Sequence, residues 1–423
     1  MHTGDLHLDS PFLGLTTIAP PAISQVLREA TLQSWTNIVR LVLEERVDFL
    51  LVAGDAFEHA SHTLRGQLRF RDGLGELARA GIPSFVVTGN HDPESGWAPS
   101  VAWPELCHRY SADRVEGRPV VRDGEEIARI YGIGYGVRDV RTNLAARFHR
   151  ESGVPFAVGL LHTNVGGDPS AGNYAPCTVG DLRAADMDYW ALGHIHRHRV
   201  ISEAHPTAVY CGNPQGRDPG EEDPRGCYVV TVDGANVVHP EFRAMDVVRW
   251  QLLDVAIDGL GTDEALIDRV VAAVDDARVD AGRSIVARVR LAGRGAVHAT
   301  LRRPGVLRDV LLEARERLGE GVPFAWVESI RDETRSELDL AERRQADDFL
   351  GDVLRRFDAA EERVSAGDGT DAALPADLQG VLDHLYANER ARRYLRDRQP
   401  GVADVARTLR DARTTVADRL GEG

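Results

Sequence analysis

Between positions 47 and 55 the chain reads VDFLLVAGD, an apolar run ended by glycine and followed at once by a carboxylate. Consecutive apolar residues from Phe49 to Ala53 fit a strand covered on both faces. Upstream, Ile38, Leu41 and Val42 share one face of a helix for which Ser34 is the expected N-cap. The pattern returns at 83–88 (PSFVVT), after a helix expected to end near Ala80 and Gly81, and stops at Gly89-Asn90-His91-Asp92. Further strands are expected at 126–133, 156–162 and 189–192. Helices between strands predict a layered α/β domain ending near Phe242, with its functional side chains at strand ends.

Length and composition narrow the classes. At roughly 150 residues per domain, 423 residues suggest about two to three domains, and 43% hydrophobic with 27% charged residues is ordinary for a folded chain. No apolar run approaches the ~20 residues of a membrane span, and no export signal is visible, so a cytoplasmic protein without a membrane partner is expected. Cys107, Cys177, Cys211 and Cys227 form no Cys-x-x-Cys pair, which excludes a disulfide scaffold or a zinc ribbon. All 50 basic residues are arginine, so the chain has neither a lysine phosphate loop nor a Schiff-base lysine. The net charge of -16 argues against gripping nucleic acid by charge alone.

A second, smaller α/β domain is expected at 247–335. In it Ile285, Ala287, Val289 and Leu291 alternate with Val286, Arg288 and Arg290, the period of a half-buried strand. Thr262 caps the preceding helix, a further helix spans 306–318, and 324–330 reads as the last strand. From 338 to 423 the chain turns helical, with a solvated acidic linker at 361–377 and closing helices at 378–398 and 402–420.

The chemistry sits in five motifs of the first domain: Asp5-x-His7, Gly54-Asp55, Gly89-Asn90-His91-Asp92, His162, and Gly193-His194-Ile195-His196. Side chains two apart on an extended chain point the same way, so Asp5 with His7, and His194 with His196, can reach one site. Carboxylate, imidazole and amide donors without thiolate suit Mn, Fe or Zn in a reactive site. A single aspartate can bridge two divalent cations, and a pair roughly 3.5–4 Å apart can clamp both sides of an in-line attack on phosphorus. Glycines before Asp55, Asn90 and His194 are expected to permit tight turns there.

This ordered set resembles the calcineurin-like metallophosphoesterase superfamily. Ala56-Phe57-Glu58-His59 after Asp55 departs from the protein phosphatases, which carry Val-Asp-Arg-Gly there. The opening Asp5-Leu6-His7-Leu8-Asp9-Ser10-Pro11-Phe12 and the later Gly212-Asn213-Pro214-Gln215-Gly216-Arg217 resemble the DNA-repair exonuclease branch, of SbcD type and especially its YhaO-like members. The resemblance implies a sandwich of two mixed sheets flanked by helices at 1–242, a capping domain that guides DNA at 247–335, and a tail that docks on an SMC-like ATPase. A homodimer is also implied.

By the same resemblance one metal takes Asp5, His7, Asp55 and His196, and the other shares Asp55 and takes Asn90, His162 and His194. The expected pair is Mn²⁺, with Fe or Zn as alternatives. His91 contacts the scissile phosphate or protonates the leaving oxygen, and Asp92 orients it. Two departures stand out. Only four residues precede Asp5, where the family has a full apolar strand, so that strand is expected to be curtailed or the start to lie upstream of Met1. Glu58 stands where some relatives carry a histidine, and His59 follows it.

His59, His198 and Arg199 are candidate substrate contacts. So are Arg288, Arg290 and Arg294, because 283–303 holds six arginines and no acid. Tyr386, Arg390, Arg392, Arg393 and Arg396 are a candidate docking face. The expected activity is hydrolysis of DNA phosphodiesters; the alternatives are a phosphodiesterase for small nucleotides and a non-catalytic scaffold on DNA ends.

Overall fold

A computed structural model describes residues 1–12, 14–58, 63–94, 102–203, 205–234, 237–337, 340–365 and 402–421, with 380, 384 and 387. Two six-stranded mixed sheets are built from the strands between His2 and Ala244. The first is built from β1 (His2–Thr3), β2 (Leu50–Ala53), β3 (Ser84–Val87), β4 (Cys107–Arg109), β11 (Gly226–Val232) and β12 (Val238–Ala244), in the order β12-β11-β1-β2-β3-β4. The second is built from β5 (Glu116–Arg122), β6 (Glu125–Gly132), β7 (Ala157–His162), β8 (Tyr189–Gly193), β9 (Arg199–Ser202) and β10 (Thr207–Tyr210), in the order β5-β6-β7-β8-β10-β9. The first sheet is parallel from β1 to β4 and antiparallel at its β11–β12 edge, and the second is parallel from β6 to β10 with an antiparallel pair at each edge.

The run at 47–55 is apolar throughout because both faces of β2 are covered. Leu51 and Ala53 pack between the sheets with Phe85, Ile130, Leu160 and Ala191. Leu50 and Val52 face the other way, against Trp35, Ile38 and Val42 of α2 (Pro21–Glu45) and Phe70 and Leu74 of α3 (Leu64–Arg79). On the far side of the second sheet, Leu161, Trp190 and Leu192 meet Leu182 of α4 (Val179–Ala184). The sandwich is therefore helix, sheet, sheet, helix.

Ser34 is not an N-cap. Helix α2 starts at Pro21, behind α1 (Leu15–Ile18), and Ser34 lies well inside it, where its hydroxyl donates to Pro214 O at 2.9 Å. The apolar face simply continues upstream through Ile23, Leu27 and Ala30, which the local pattern around Ser34 concealed. Strand β1 is as short as expected, yet it lies inside the sheet, pairing His2 with Leu51 on one side and Tyr228 on the other.

The chain divides into two compact units: 1–253 with 271–289 and 314–329, and 254–270 with 290–313 and 330–423. A third sheet, β13 (Val248–Ala256), β14 (Ser284–Ala292) and β15 (Ala325–Asp332), has the strand order of its numbering. It is accompanied by α5 (Asp263–Ala281), α6 (Val297–Leu301) and α7 (Val306–Leu318). Val286, read as the exposed side of β14, is fully buried in the first unit with Trp250, Trp326 and Phe12, so this part of the strand is covered on both faces.

The tail carries α8 (Leu340–Gln345), α9 (Phe349–Ser365) and α10 (Val402–Gly421). Residues 361–365 belong to α9 rather than to a linker, because Glu361 and Asp358 face Arg410 and Arg413 of α10. The remainder of the expected linker, 366–377, lies outside the described residues. So does nearly all of the expected helix at 378–398, with Tyr386, Arg390, Arg392, Arg393 and Arg396.

Candidate metal centre

Strand order brings the five motifs to one edge of the sandwich. Asp5, Asp55 and Asn90 follow β1, β2 and β3; His162 ends β7 and His194 follows β8. The chain turns sharply there, and several of these residues adopt the turn themselves: φ is 48° at Asp5, 42° at His7, 49° at Asp55 and 102° at His194. Of the three glycines expected to provide turns, only Gly54 has a positive φ, at 92°. Gly89 and Gly193 serve close approach instead. A Cβ at Gly89 would lie 2.2 Å from Asp55 Oδ1, and one at Gly193 would lie 2.0 Å from Ala53 O.

Asp5, His7, Asp55, Asn90, His162 and His194 are all buried, and His196 is partly so. Asp5 accepts the His194 backbone N–H on both oxygens at 3.0 Å, and Asp55 Oδ1 accepts that of His91 at 2.8 Å. Ligand atoms of Asp5, His7 and His196 lie within 4.8 Å of one another, as do those of Asp5, Asp55 and His162.

The proton positions are decisive for chemistry. His162 Nδ1 donates to Ala53 O at 2.9 Å, which leaves its Nε2 as a lone pair 2.9 Å from Asn90 Oδ1 and 3.4 Å from Asp55 Oδ2. His196 Nδ1 donates to Glu221 Oε1 at 2.5 Å, and His7 Nδ1 lies 3.2 Å from Glu58 Oε2. The Nε2 atoms of His7 and His196 meet at 3.1 Å, a hydrogen bond when one of them carries the proton, while His7 Nδ1 has no hydrogen-bond partner among the described residues. His194 Nε2 donates to Gly172 O at 2.6 Å and frees Nδ1. At His162 and Asn90 an acceptor is turned toward an acceptor in a buried space, which fits a cation between them.

Protonation preferences agree. Burial holds His7 neutral, its pKa down at about 3, and burial with His162 alongside takes His194 to about 4. Burial also lowers His162. Burial and the neighbouring Asp55 push Asp5 and Asp92 well above the carboxylate range. Burial would raise Asp55 too, but it is drawn below that range, with His91, which favours the imidazolium form and gives it a backbone N–H, on the lowering side. Neutral imidazoles and crowded carboxylates are what a divalent cation requires.

His91 stands at the edge of this cluster, 26% exposed, and its Nδ1 donates to Glu58 Oε1 at 2.5 Å. Burial alone would lower its pKa, but Glu58 and Asp55 raise it, so the imidazolium form is favoured. Glu58 is drawn down in turn: His7 and His91 outweigh its burial. The expectation that Asp92 orients His91 is corrected here. Glu58 occupies that position, while the Asp92 carboxylate accepts the backbone N–H groups of Gly89, Asp55 and Ala56 at 2.7, 3.1 and 2.8 Å. Asp92 thus fastens the loop after β3 to the loop after β2. Glu58 was visible in sequence as a departure three residues past Asp55; Glu221 carried no signal at all.

The cluster opens into a cleft of about 950 Å³ lined by Asp55, Asn90, His91, His194 and His196, with Arg138, Arg197, Arg199 and Tyr174. Arg199 lines it while paired to Asp168 at 2.5 Å. His198 does not line it. Its ring stacks on Phe242 at 3.8 Å and its Nδ1 meets Tyr228 Oη at 3.1 Å. His59 lies outside the described residues.

Within the basic stretch at 283–303, the three candidate contacts are already partnered. Arg288 is bidentate to Glu328 and Arg290 bidentate to Asp254, while Arg294 Nη1 donates to Ser336 O. These acids come from β13 and β15, so a count along one strand could not include them.

Residues 1–198 match the calcineurin-like phosphoesterase family, and residues 250–335 match the middle domain of metallophosphoesterase YhaO. The uncharacterized metallophosphoesterase YhaO of Bacillus subtilis (strain 168) is 31% identical over 419 residues, 99% of this chain and 98% of that one. The DNA double-strand break repair protein Mre11 of Methanopyrus kandleri is 24% identical, covering 64% of this chain and 61% of its own. The SbcD component of the SbcCD nuclease of Bacillus subtilis (strain 168) is 26% identical, over 51% of this chain and 61% of its own. With this metal-ready cluster at the edge of a two-sheet sandwich and a likeness that runs the full length of YhaO, the chain belongs to the YhaO-like family of calcineurin-like metallophosphoesterases and is homologous to the SbcD and Mre11 nucleases.

Proposed function

We propose that the protein is a two-metal phosphodiesterase that hydrolyses DNA, working as an exonuclease subunit with an SMC-like ATPase. The observation that carries the phosphodiesterase is the gathering of the ligand atoms of Asp5, His7 and His196, and of Asp5, Asp55 and His162, within 4.8 Å in each group, with Asn90 Oδ1 2.9 Å from the Nε2 lone pair of His162. Asp5, His7, Asp55 and His196 would hold one cation, and Asp55, Asn90, His162 and His194 the other. Manganese suits this mixture of oxygen and imidazole donors. When bound, the pair supplies Lewis-acid polarisation of the phosphate and an activated nucleophile.

The protein's own groups do the rest. Glu221 and Gly172 fix the tautomers of His196 and His194, so each presents one lone pair in a set direction. Glu58 holds His91 by Nδ1, which leaves Nε2–H as the donor for the leaving oxygen. Of the basic groups that line the cleft, Arg225 is held by His196 O, Asn213 Oδ1 and Glu222 O, and this reading assigns Arg138, Arg197 and Arg199, rather than Arg288, Arg290 and Arg294, to the substrate's phosphates. Residues 1–242 form the catalytic domain in this reading, 247–335 a cap and 338–423 the docking tail. The names of the Mre11 and SbcD relatives favour DNA over small nucleotides.

The test is release of nucleotides from end-labelled duplex DNA with Mn²⁺, with Mg²⁺ and with chelator, beside H91A. Manganese-dependent release that H91A abolishes is expected. Cleavage of bis(p-nitrophenyl) phosphate without any release from DNA would keep the phosphodiesterase and overturn DNA as the substrate of the isolated chain.

A further inference from the structure

Two carboxylates stand behind the histidines of the cluster, and residue 217 meets both. Glu221, on His196, accepts the Arg217 backbone N–H on its Oε2 at 2.7 Å. Glu58 Oε2, which lies 3.2 Å from His7 Nδ1, is 3.4 Å from Arg217 Nη1, while Oε1 holds His91 at 2.5 Å. The Arg217 side chain is only 17% exposed, and its Nε is buried without a hydrogen-bond partner, so the guanidinium sits on this carboxylate rather than in solvent. The chain just before it is anchored. Pro214 O accepts from Ser34, and Gln215 Oε1 accepts the Val247 and Val248 N–H groups at 2.8 and 3.2 Å.

Glu58 is shared between two imidazoles with different tasks. A carboxylate free to rotate could favour either one. A cation fixed beside Oε2 keeps that oxygen on the His7 side and aims Oε1 at His91. We propose that Arg217 is a positioning residue that ties the His7–His196 metal position to His91 through Glu58. This rests on the phosphodiesterase reading above.

The test compares wild type, R217M and R217K by Mn²⁺ titration calorimetry and by cleavage of two diesters at saturating Mn²⁺. Bis(p-nitrophenyl) phosphate releases a phenolate that leaves without a proton; an oligonucleotide releases an alkoxide that needs one. R217M should weaken one of two Mn²⁺ sites by roughly 10–100-fold and slow the oligonucleotide by a similar factor. Its loss on the nitrophenyl ester should be smaller, and R217K should recover most of both. Because the arginine acts through Glu58, R217M combined with E58Q should be no slower than E58Q alone. A wild-type Mn²⁺ isotherm in R217M would overturn the tie. Equal losses on the two esters without recovery by lysine would also overturn it, as a purely structural effect. If wild type cleaves neither diester, the phosphodiesterase reading fails, while the calorimetry still decides the tie.

Discussion

At the scale of single residues, the cluster separates the groups that would hold metal from those that aim the holders. His91 is the side chain to which the proposed function gives proton transfer. It lies at the cleft with its Nδ1 committed to Glu58. Replacing it with alanine should slow hydrolysis by roughly 10²–10⁴-fold, about 3–5 kcal/mol of barrier, at unchanged Mn²⁺ affinity. Steady-state kinetics beside calorimetry would check this, and a parallel loss of metal would make His91 a ligand instead. Asp92 has the opposite profile. Truncating it to alanine strands the buried N–H groups of Gly89, Asp55 and Ala56, each worth about 1–3 kcal/mol. A denaturant melt of D92A should therefore show a loss above about 3 kcal/mol; a stability close to wild type would mean those donors find other partners. The metal-ligand candidates were legible because donor types and short spacings are local properties. The role of Glu58 was not, because its partner His91 arrives from a different strand end, 33 residues away.

At the scale of elements, legibility followed burial. Strands β2, β3, β6, β7 and β8 announce themselves as apolar runs because they run through the sandwich interior. Strands β9 and β12 stand at the edges of their sheets, partly exposed and polar, and no such run marks them. Helix α2 shows the converse error, since a serine ahead of an apolar face looks like a cap wherever the helix began. The two-residue strand β1 is the element on which Asp5 and His7 depend, and its His2 is fully buried with Nδ1 on Tyr189 Oη at 2.9 Å. Burial, with the Met1 ammonium beside it, lowers the His2 pKa to about 3. In the unfolded chain it titrates near 6.5, so between those values the unfolded state binds the extra proton. Stability should consequently fall as pH drops from about 6.5 toward 3, by as much as about 5 kcal/mol from this one group. His7 and His194, lowered in the same way, add to the trend. Unfolding free energies measured from pH 7 to 4 should have a shallower slope in H2Q than in wild type. Equal slopes would show that His2 accepts its proton in the folded state.

At the scale of the whole molecule, the net charge of -16 and the cluster make the same demand. Asp5, Asp55 and Asp92 are buried together, and Asp5 and Asp92 are driven toward the neutral acid by burial and by Asp55. Left-handed backbone at Asp5, His7, Asp55 and His194 adds strain of about 1–3 kcal/mol at each. Both costs are borne in the folded state only, and a cation among these groups offsets the first of them directly. The arginines at 288 and 290 relieve nothing here, since Glu328 and Asp254 already neutralise them. Metal should therefore act as a folding ligand as well as a catalyst. At 100 times its Kd, a cation bound only by the folded state adds about 2.7 kcal/mol per site. In a unit of this size that raises Tm by roughly 4–5 °C per site. Scanning calorimetry with Mn²⁺ and with chelator should show that rise, and D55N, which weakens the carboxylate shared by both positions, should remove most of it. Superimposable melts in the two conditions would mean that the buried carboxylates and imidazoles of the cluster are reconciled without a cation, and the two-metal assignment would have to be given up.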